Sequence, residues 1–252
     1  KPGVFTLESC GDCGHTFQNP RLSPEGLNFY YSDFYDGLGG QVAETMFRAR
    51  PGLYEQRAKA VKGLITPEHW LDVGTGQGHF CAAARRVWNE AEFDGLDISE
   101  TIDDAVRAGW MNRGYRGFLP DKAEDLKGFY DVASMFHCLE HTRDVREELK
   151  AVFTVLKPGG LAVIENPNPE CLFGRIFGRF WLPWFQPQHL HMPTVKNLET
   201  LLDEQGFDVV RVQIGEAHLP IDCFAAIMLF YGWISPKLAL PWQPRPRWYH
   251  HV

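Results

Sequence analysis

Positive charge is in short supply in this chain: 25 lysines and arginines stand against 32 aspartates and glutamates, a formal net charge of −7. That balance gives no electrostatic grip on a phosphate backbone, so nucleic acid is not an expected partner. Long apolar runs are missing as well. The longest, 223–234 ("CFAAIMLFYGWI"), holds twelve uncharged residues, short of the roughly 20 that span a bilayer. Cysteine is sparse and scattered, with six residues at 10, 13, 81, 138, 171 and 223. That spacing is no disulfide framework, and it makes a reducing cytoplasm the expected location. Internal repeats and low-complexity segments are absent. The first residue is Lys1 rather than Met, so residues upstream are expected, and a removed signal peptide is not excluded.

What is present suits a soluble domain with a true core: 44% of residues are hydrophobic and 23% charged. From residue 69 strand and helix signals alternate. "HWLDVG", "EFDGLDI", "YRGFL", "YDVASMF", "LAVIEN" and "FDVVRVQI" read as strands. The intervening segments 78–88, 99–109, 143–156 and 194–205 read as helices, and 41–63 carries helix formers around a Pro-Gly break. This alternation predicts an α/β fold, a parallel sheet covered by helices on both faces. Three stretches lie outside the rhythm. Residues 1–40 are turn-rich and aromatic, 167–191 form an aromatic, proline-broken insert in a domain of 41–217, and 218–252 form an apolar tail.

The strongest local signal is "LDVGTGQG", where a strand dissolves into Gly74, Gly76 and Gly78. Ligands bind beyond the carboxyl ends of such strands, and bare backbone lets a ligand approach closely. Asp97 ends the next strand, nineteen residues after Gly78, where a carboxylate accepts hydrogen bonds from ribose hydroxyls. A dinucleotide fingerprint needs G-x-G-x-x-G, and here the third glycine comes one place early. Asp72, two positions before the first glycine, would repel a pyrophosphate but suits the ammonium end of an amino acid. A ribose at one end and an amine at the other describe S-adenosylmethionine; NAD does not fit.

In order and spacing, "LDVGTGQGHF", "GLDIS", "AEDL", "YDVASMFHCLEH" and "LKPGGLAVIENPN" resemble the successive motifs of class I S-adenosylmethionine-dependent methyltransferases. The match runs over about 65–215, and "QHLHMPTVKNLETLLDEQGFDVV" is similar to the ending of the quinone-biosynthesis and natural-product subgroup. The resemblance implies a doubly wound, mostly parallel seven-stranded sheet binding S-adenosylmethionine or S-adenosylhomocysteine. It implies that Gly74, Thr75, Gly76 and Gly78 line the cofactor, with Asp97 on the ribose, Ile98 on the adenine face, Ala123 and Glu124 along the adenine edge, and Phe136 nearby. Relatives often carry Asp before the "AEDL" alanine where this chain has Lys122, so backbone groups or Asp121 serve there instead.

Transfer to an O–H or N–H acceptor often needs a base. His137 and His141, in "MFHCLEHTRD", stand at the carboxyl edge, although Glu140 and His141 also read as braces for the loop. His189, in "PQHLHM", is the leading base candidate. Some quinone-pathway relatives place a divalent cation near the "LEH" motif, but His137 stands where they have Glu. The insert "CLFGRIFGRFWLPWFQPQHL" holds seven aromatics counting His189. Phe180, Trp181, Trp184 and Phe185 are expected to cover a small apolar acceptor as a lid, or to meet a second copy of the chain. The apolar tail is a further candidate for an oligomer contact or a membrane surface. Cys10 and Cys13, in "CGDCG", are half of a zinc ribbon; His15 is a third ligand candidate and no fourth is evident. The function expected is methylation of a small acceptor at oxygen. The alternatives are a non-catalytic cofactor-binding subunit, or transfer to carbon or nitrogen.

Overall fold

A computed structural model of the protein describes residues 5–31, 51–215 and 219–234. The expected helical residues 41–50 and the tail beyond 234 lie outside the described residues. Along the chain the elements are β1 (Leu7–Ser9), β2 (Thr16–Gln18), α1 (Pro24–Tyr31), α2 (Pro51–Lys59), β3 (His69–Val73), α3 (His79–Ala84), β4 (Glu92–Asp97), α4 (Ile102–Arg107) and β5 (Arg113–Arg116). They continue with α5 (Leu119–Lys122), β6 (Tyr130–Phe136), α6 (Val145–Val155), β7 (Leu156–Glu165), α7 (Leu172–Phe177), β8 (His191–Met192), α8 (Val195–Glu204) and α9 (Leu219–Ile234). Contacts divide them into two units. The described residues of 41–166 and 204–207 form one, and those of 1–40, 167–203 and 208–252 the other.

The first unit is built on a parallel sheet in the order β5-β4-β3-β6-β7. Connections step outward from β3 to β4 and β5, then return to β6 on the other side of β3, so the strand order reverses between β3 and β6. In open parallel sheets, ligands bind at the carboxyl edge beside such a reversal. Both faces of β3 are covered, so Trp70, Leu71 and Val73 are buried, and so is the carboxylate Asp72 between them. Trp70 stacks on Phe93 at 5.6 Å and packs against Phe80 at 5.5 Å. Its indole N–H is not wasted in the core; it donates to Ser134 Oγ at 2.9 Å. Truncating such a buried aromatic costs about 3–5 kcal/mol.

α6 starts where Asp144 accepts from the backbone N–H groups of Arg146 and Glu147, a side-chain cap for otherwise unpaired donors. It ends at Val155, and Lys157-Pro158-Gly159-Gly160 lies inside β7 rather than before it. Register slips there: Tyr130 faces Leu156, yet Val132 faces Leu161, with Gly159 at φ 80° making the bulge. Among the described residues the parallel sheet has five strands, where seven were expected. "FDVVRVQI" is no strand; 207–215 carry no regular structure, and Val209, Val210, Val212 and Ile214 are exposed. Alternation alone does not make a strand, because a strand also needs a neighbour to receive its backbone hydrogen bonds.

In the second unit β1, β2 and β8 form a small antiparallel sheet. Residues 5–31 and the aromatic insert are therefore parts of one body. Gln18 Nε2 donates to Gln186 Oε1 at 2.5 Å in a buried contact, and Gln186 Nε2 donates to the carbonyls of Trp184 and His189. At the start of α8, Thr194 and Asn197 cap each other reciprocally, and Asn197 Nδ2 also donates to the Cys13 carbonyl at 2.9 Å.

Candidate active site

The turn after β3 is where the first unit exposes backbone. Gly74, Gly76 and Gly78 have φ of 72°, 54° and 76°, a left-handed conformation that side chains resist. Their surroundings separate their roles. A Cβ at Gly74 would lie 2.9 Å from Cys138 Cβ, and one at Gly78 would lie 2.9 Å from Ala105 Cβ, so both positions are closed by the protein's own packing. A Cβ at Gly76 would meet nothing within 4 Å. Gly76 is the glycine whose bare face looks outward.

Asp97, at the end of β4, binds this turn. Its Oδ2 accepts from Gly76 N–H and its Oδ1 from Ser99 N–H, both at 2.8 Å. The neighbouring Ile98 is 51% exposed, an apolar side chain held out beside a carboxylate. Thr75 is buried, Ala123 is buried, and Glu124 is exposed and paired with Lys127 at 3.3 Å. A carboxylate with acceptor capacity left over, an open glycine and an exposed apolar side chain fit a nucleoside. Asp72 lies deeper. It is buried, accepts from Ser134 Oγ at 2.6 Å, and burial pushes its pKa up to about 6 against the hydrogen bonds of Ser134 and Thr75. Trp70, Ser134 and Asp72 thus form one buried chain beneath the turn, and Ser134 carried no sequence signal of its own.

At the carboxyl ends of β6 and β7, His137 sits in a left-handed conformation, φ 52°, uncommon for a residue with a side chain. Three contacts hold it there. Its N–H donates to the Glu165 carbonyl at 2.9 Å, Nδ1 lies 3.3 Å from Glu140 Oε1, and Nε2 lies 2.9 Å from Glu165 Oε1. Glu140 is fully buried and also accepts from Asn166 at 3.2 Å. Arg57 of α2 reaches Glu165 through Nε at 2.8 Å and through a second, shorter bond from Nη2, while its guanidinium lies over the Phe136 ring. Burial by itself would lower the His137 pKa, but the two carboxylates outweigh it and raise it to about 9. Burial would raise Glu165, but His137 and Arg57 bring it down to about 2. A cationic imidazolium clamped between carboxylates is a poor proton acceptor at neutral pH. The sequence marked His137 as a candidate base; its two carboxylate neighbours suit a brace for the loop better. His141 is half-buried at the end of the following 3-10 turn, its N–H bonded to the Cys138 carbonyl.

The signs fix a pH window. A histidine raised from 6.5 to about 9 stabilises the fold fully below about 6.5 and loses that contribution as pH rises through about 9. A glutamate lowered from 4.5 to about 2 stabilises above about 4.5 and loses its contribution as pH falls through about 2. Thermal melts should therefore show the wild type losing more stability between pH 7 and 10 than His137→Asn, a residue that tolerates the left-handed backbone. The excess should be on the order of 1–3 kcal/mol. Parallel pH profiles for the two proteins would overturn the clamp.

In the second unit, Phe180, Trp181, Trp184, Phe185 and His189 share the insert. His189 Nδ1 lies 2.6 Å from the Pro183 carbonyl. A carbonyl only accepts, so Nδ1 carries the proton and Nε2 of the neutral ring carries the lone pair. Trp181 is buried against Trp184, and its indole N–H has no hydrogen-bond partner among the described residues. Phe180 packs on Phe230 and Trp233 of α9. In the β1–β2 turn, the backbone N–H groups of Cys13 and Asp12 draw the Cys10 thiol pKa down, the local shape of a metal knuckle. Among the described residues, however, no third ligand atom gathers with Cys10 and Cys13. His15 Nε2 lies 3.2 Å from His191 Nδ1, so the described residues offer two of the four ligands a structural zinc takes.

The methyltransferase-domain family profile matches residues 44–212. A demethylmenaquinone methyltransferase of Lactococcus lactis is 30% identical over 184 residues, which cover 62% of this chain and 73% of that protein. A ubiquinone biosynthesis O-methyltransferase of Pseudomonas paraeruginosa is 27% identical over 128 residues, 48% of this chain and 54% of that protein. The chain thus spans about half that relative's length. The crystal structure of a SAM-dependent methyltransferase from Archaeoglobus fulgidus superposes with a TM-score of 0.58 at 22% identity, over 71% of this chain and 78% of that one. At that identity the likeness concerns the fold.

Proposed function

The chain belongs to the methyltransferase-domain family, and on that premise we propose that it methylates an oxygen atom of a small, largely apolar acceptor. The observation that carries the reading is the turn at Gly76, open where a side chain would stand, with Asp97 bonded to it and Ile98 exposed beside it. Gly74, Gly76, Asp97 and Ile98 would hold S-adenosylmethionine, with Ala123 and Glu124 toward its base. Bound there, the cofactor supplies an electrophilic methyl group on a sulfonium. Asp72 contributes negative charge beneath the turn, complementary to an ammonium group. Arg57, Glu165, Glu140 and His137 hold the loop at the sheet edge and keep its backbone from shifting.

We assign acceptor contact to Phe180, Trp181, Trp184 and Phe185, whose rings offer large contact area for little lost entropy. The buried Trp181 indole N–H is a donor suited to an acceptor oxygen. His189 takes the proton at Nε2, its tautomer fixed by Pro183; His141 is the next candidate. Two relatives are named for demethylmenaquinone and for ubiquinone biosynthesis, which favours a hydroxylated apolar ring as the acceptor class.

Calorimetry with S-adenosylhomocysteine tests the cofactor half. Asp97→Ala should weaken binding by about 1.5–3 kcal/mol, because a charge-assisted ribose contact is lost. An unchanged dissociation constant would move the ribose elsewhere. A mass gain of one methyl in a candidate hydroxylated ring, dependent on S-adenosylmethionine, tests the acceptor half. Tight cofactor binding with no product from any extract would instead favour a non-catalytic subunit.

A further inference from the structure

We propose that the second unit docks on the surface of an anionic lipid membrane through an apolar face built from α7 and α9. On α9, Phe224, Ile227, Tyr231 and Ile234 are spaced three and four apart, which puts them on one helical face, and all four are exposed. Phe224 is 63% exposed, a large apolar side chain in water with no structural need to be there. α9 lies beside α7 and the 3-10 turns of 178–184. There Leu172, Arg175 and Ile176 of α7 are spaced three and four apart, with Leu172 and Ile176 each 62% exposed, and Arg179 follows in the next turn with its guanidinium over the Phe180 and Trp233 rings. Exposed apolar side chains gathered on neighbouring elements in this way mark an interaction site.

Charge selects the occupant. The chain as a whole carries −7, yet 171–194 contain no Asp or Glu, and α9 with the residues after it carries only Asp222, in its first turn. Their other charged residues are Arg175, Arg179, Lys237, Arg245 and Arg247, all cationic. Trp242, Trp248 and Tyr249 accompany the last three in the sequence. Aromatic and aliphatic side chains interleaved with cations and nearly free of acids are the composition of a segment at the headgroup boundary. A second copy of the chain is the alternative occupant, and the test below separates it from a membrane. No helix among the described residues is long and apolar enough to cross a membrane, so the mode is surface attachment.

The test is co-sedimentation of the full chain with vesicles of phosphatidylglycerol and phosphatidylcholine in roughly equal parts, against phosphatidylcholine alone. Binding to the anionic vesicles should be about tenfold stronger or more, and should weaken as salt is raised. Phe224→Glu combined with Tyr231→Glu should abolish binding, and Arg175→Glu should weaken it, with S-adenosylhomocysteine affinity and the near-ultraviolet circular dichroism of the tryptophans unchanged. The proposal is overturned by equal binding to both vesicle types, or by none. It is also overturned by a stable dimer in sedimentation equilibrium that the double variant dissociates. None of these outcomes depends on methyl transfer, so failure here and failure of the proposed activity remain distinguishable.

Discussion

Gly78→Ala should cost the fold far more than Gly76→Ala, two positions away in the same turn. Both glycines have positive φ, so each alanine carries a left-handed penalty of about 1–2 kcal/mol. Only at Gly78 does the new methyl collide, 2.9 Å from Ala105 Cβ and 2.6 Å from Met111 Cε. Overpacking of that kind adds about 1–3 kcal/mol, giving about 2–5 kcal/mol at Gly78 against about 1–2 at Gly76. Urea melts read the difference directly. Gly76→Ala should instead show its main defect in S-adenosylhomocysteine affinity, because its methyl projects into space open to a ligand. Equal destabilisation by the two variants, with cofactor binding intact in Gly76→Ala, would remove the cradle from this turn.

His189→Ala should lower turnover on the acceptor by about 10²-fold or more if the imidazole takes the acceptor's proton. Cofactor affinity should hardly move. The wild-type rate should fall on an acidic limb as Nε2 is protonated, and that limb should vanish in the variant. His189→Asn keeps a donor at Nδ1's place to meet the Pro183 carbonyl, so it tests the base apart from the loop. Full turnover in His189→Ala would reduce the residue to a loop brace, and the same pair of measurements would then pass to His141.

Sequence and structure agree most closely where backbone conformation is the constraint. Gly74, Gly76, Gly78 and Asp97 were legible because positive φ nearly demands glycine, and because a parallel strand must end where its neighbour does. The parallel strands from β3 to β7 were legible for a related reason: β-branched and aromatic runs alternating with amphipathic helices have few ways to pack. Three features were not legible. "FDVVRVQI" has the alternation of a strand, but whether an edge stands ready to receive it is a property of the whole fold. The Gln18–Gln186 contact joins residues 168 positions apart, and polar residues at that distance leave no periodic trace. The pull that favours a charged His137 comes from Glu140, three residues on, and from Glu165, twenty-eight residues on, and only the structure brings the second to the ring. A titratable ring at a sheet edge looks the same in sequence whether its neighbours are water or two carboxylates.

The bonds from Asn197 to Cys13 and from Gln18 to Gln186 bear on how the aromatic insert can be exchanged. A chimera that transplants only 167–191 from a relative would carry away Gln186 and leave Gln18 buried with its donor unmatched, a defect costing about 1–3 kcal/mol. The exchangeable cassette is discontinuous. The amino-terminal hairpin must travel with the insert and the start of α8, and a recombination library with crossovers at both ends of that set should yield far more folded variants than one cut at the insert alone.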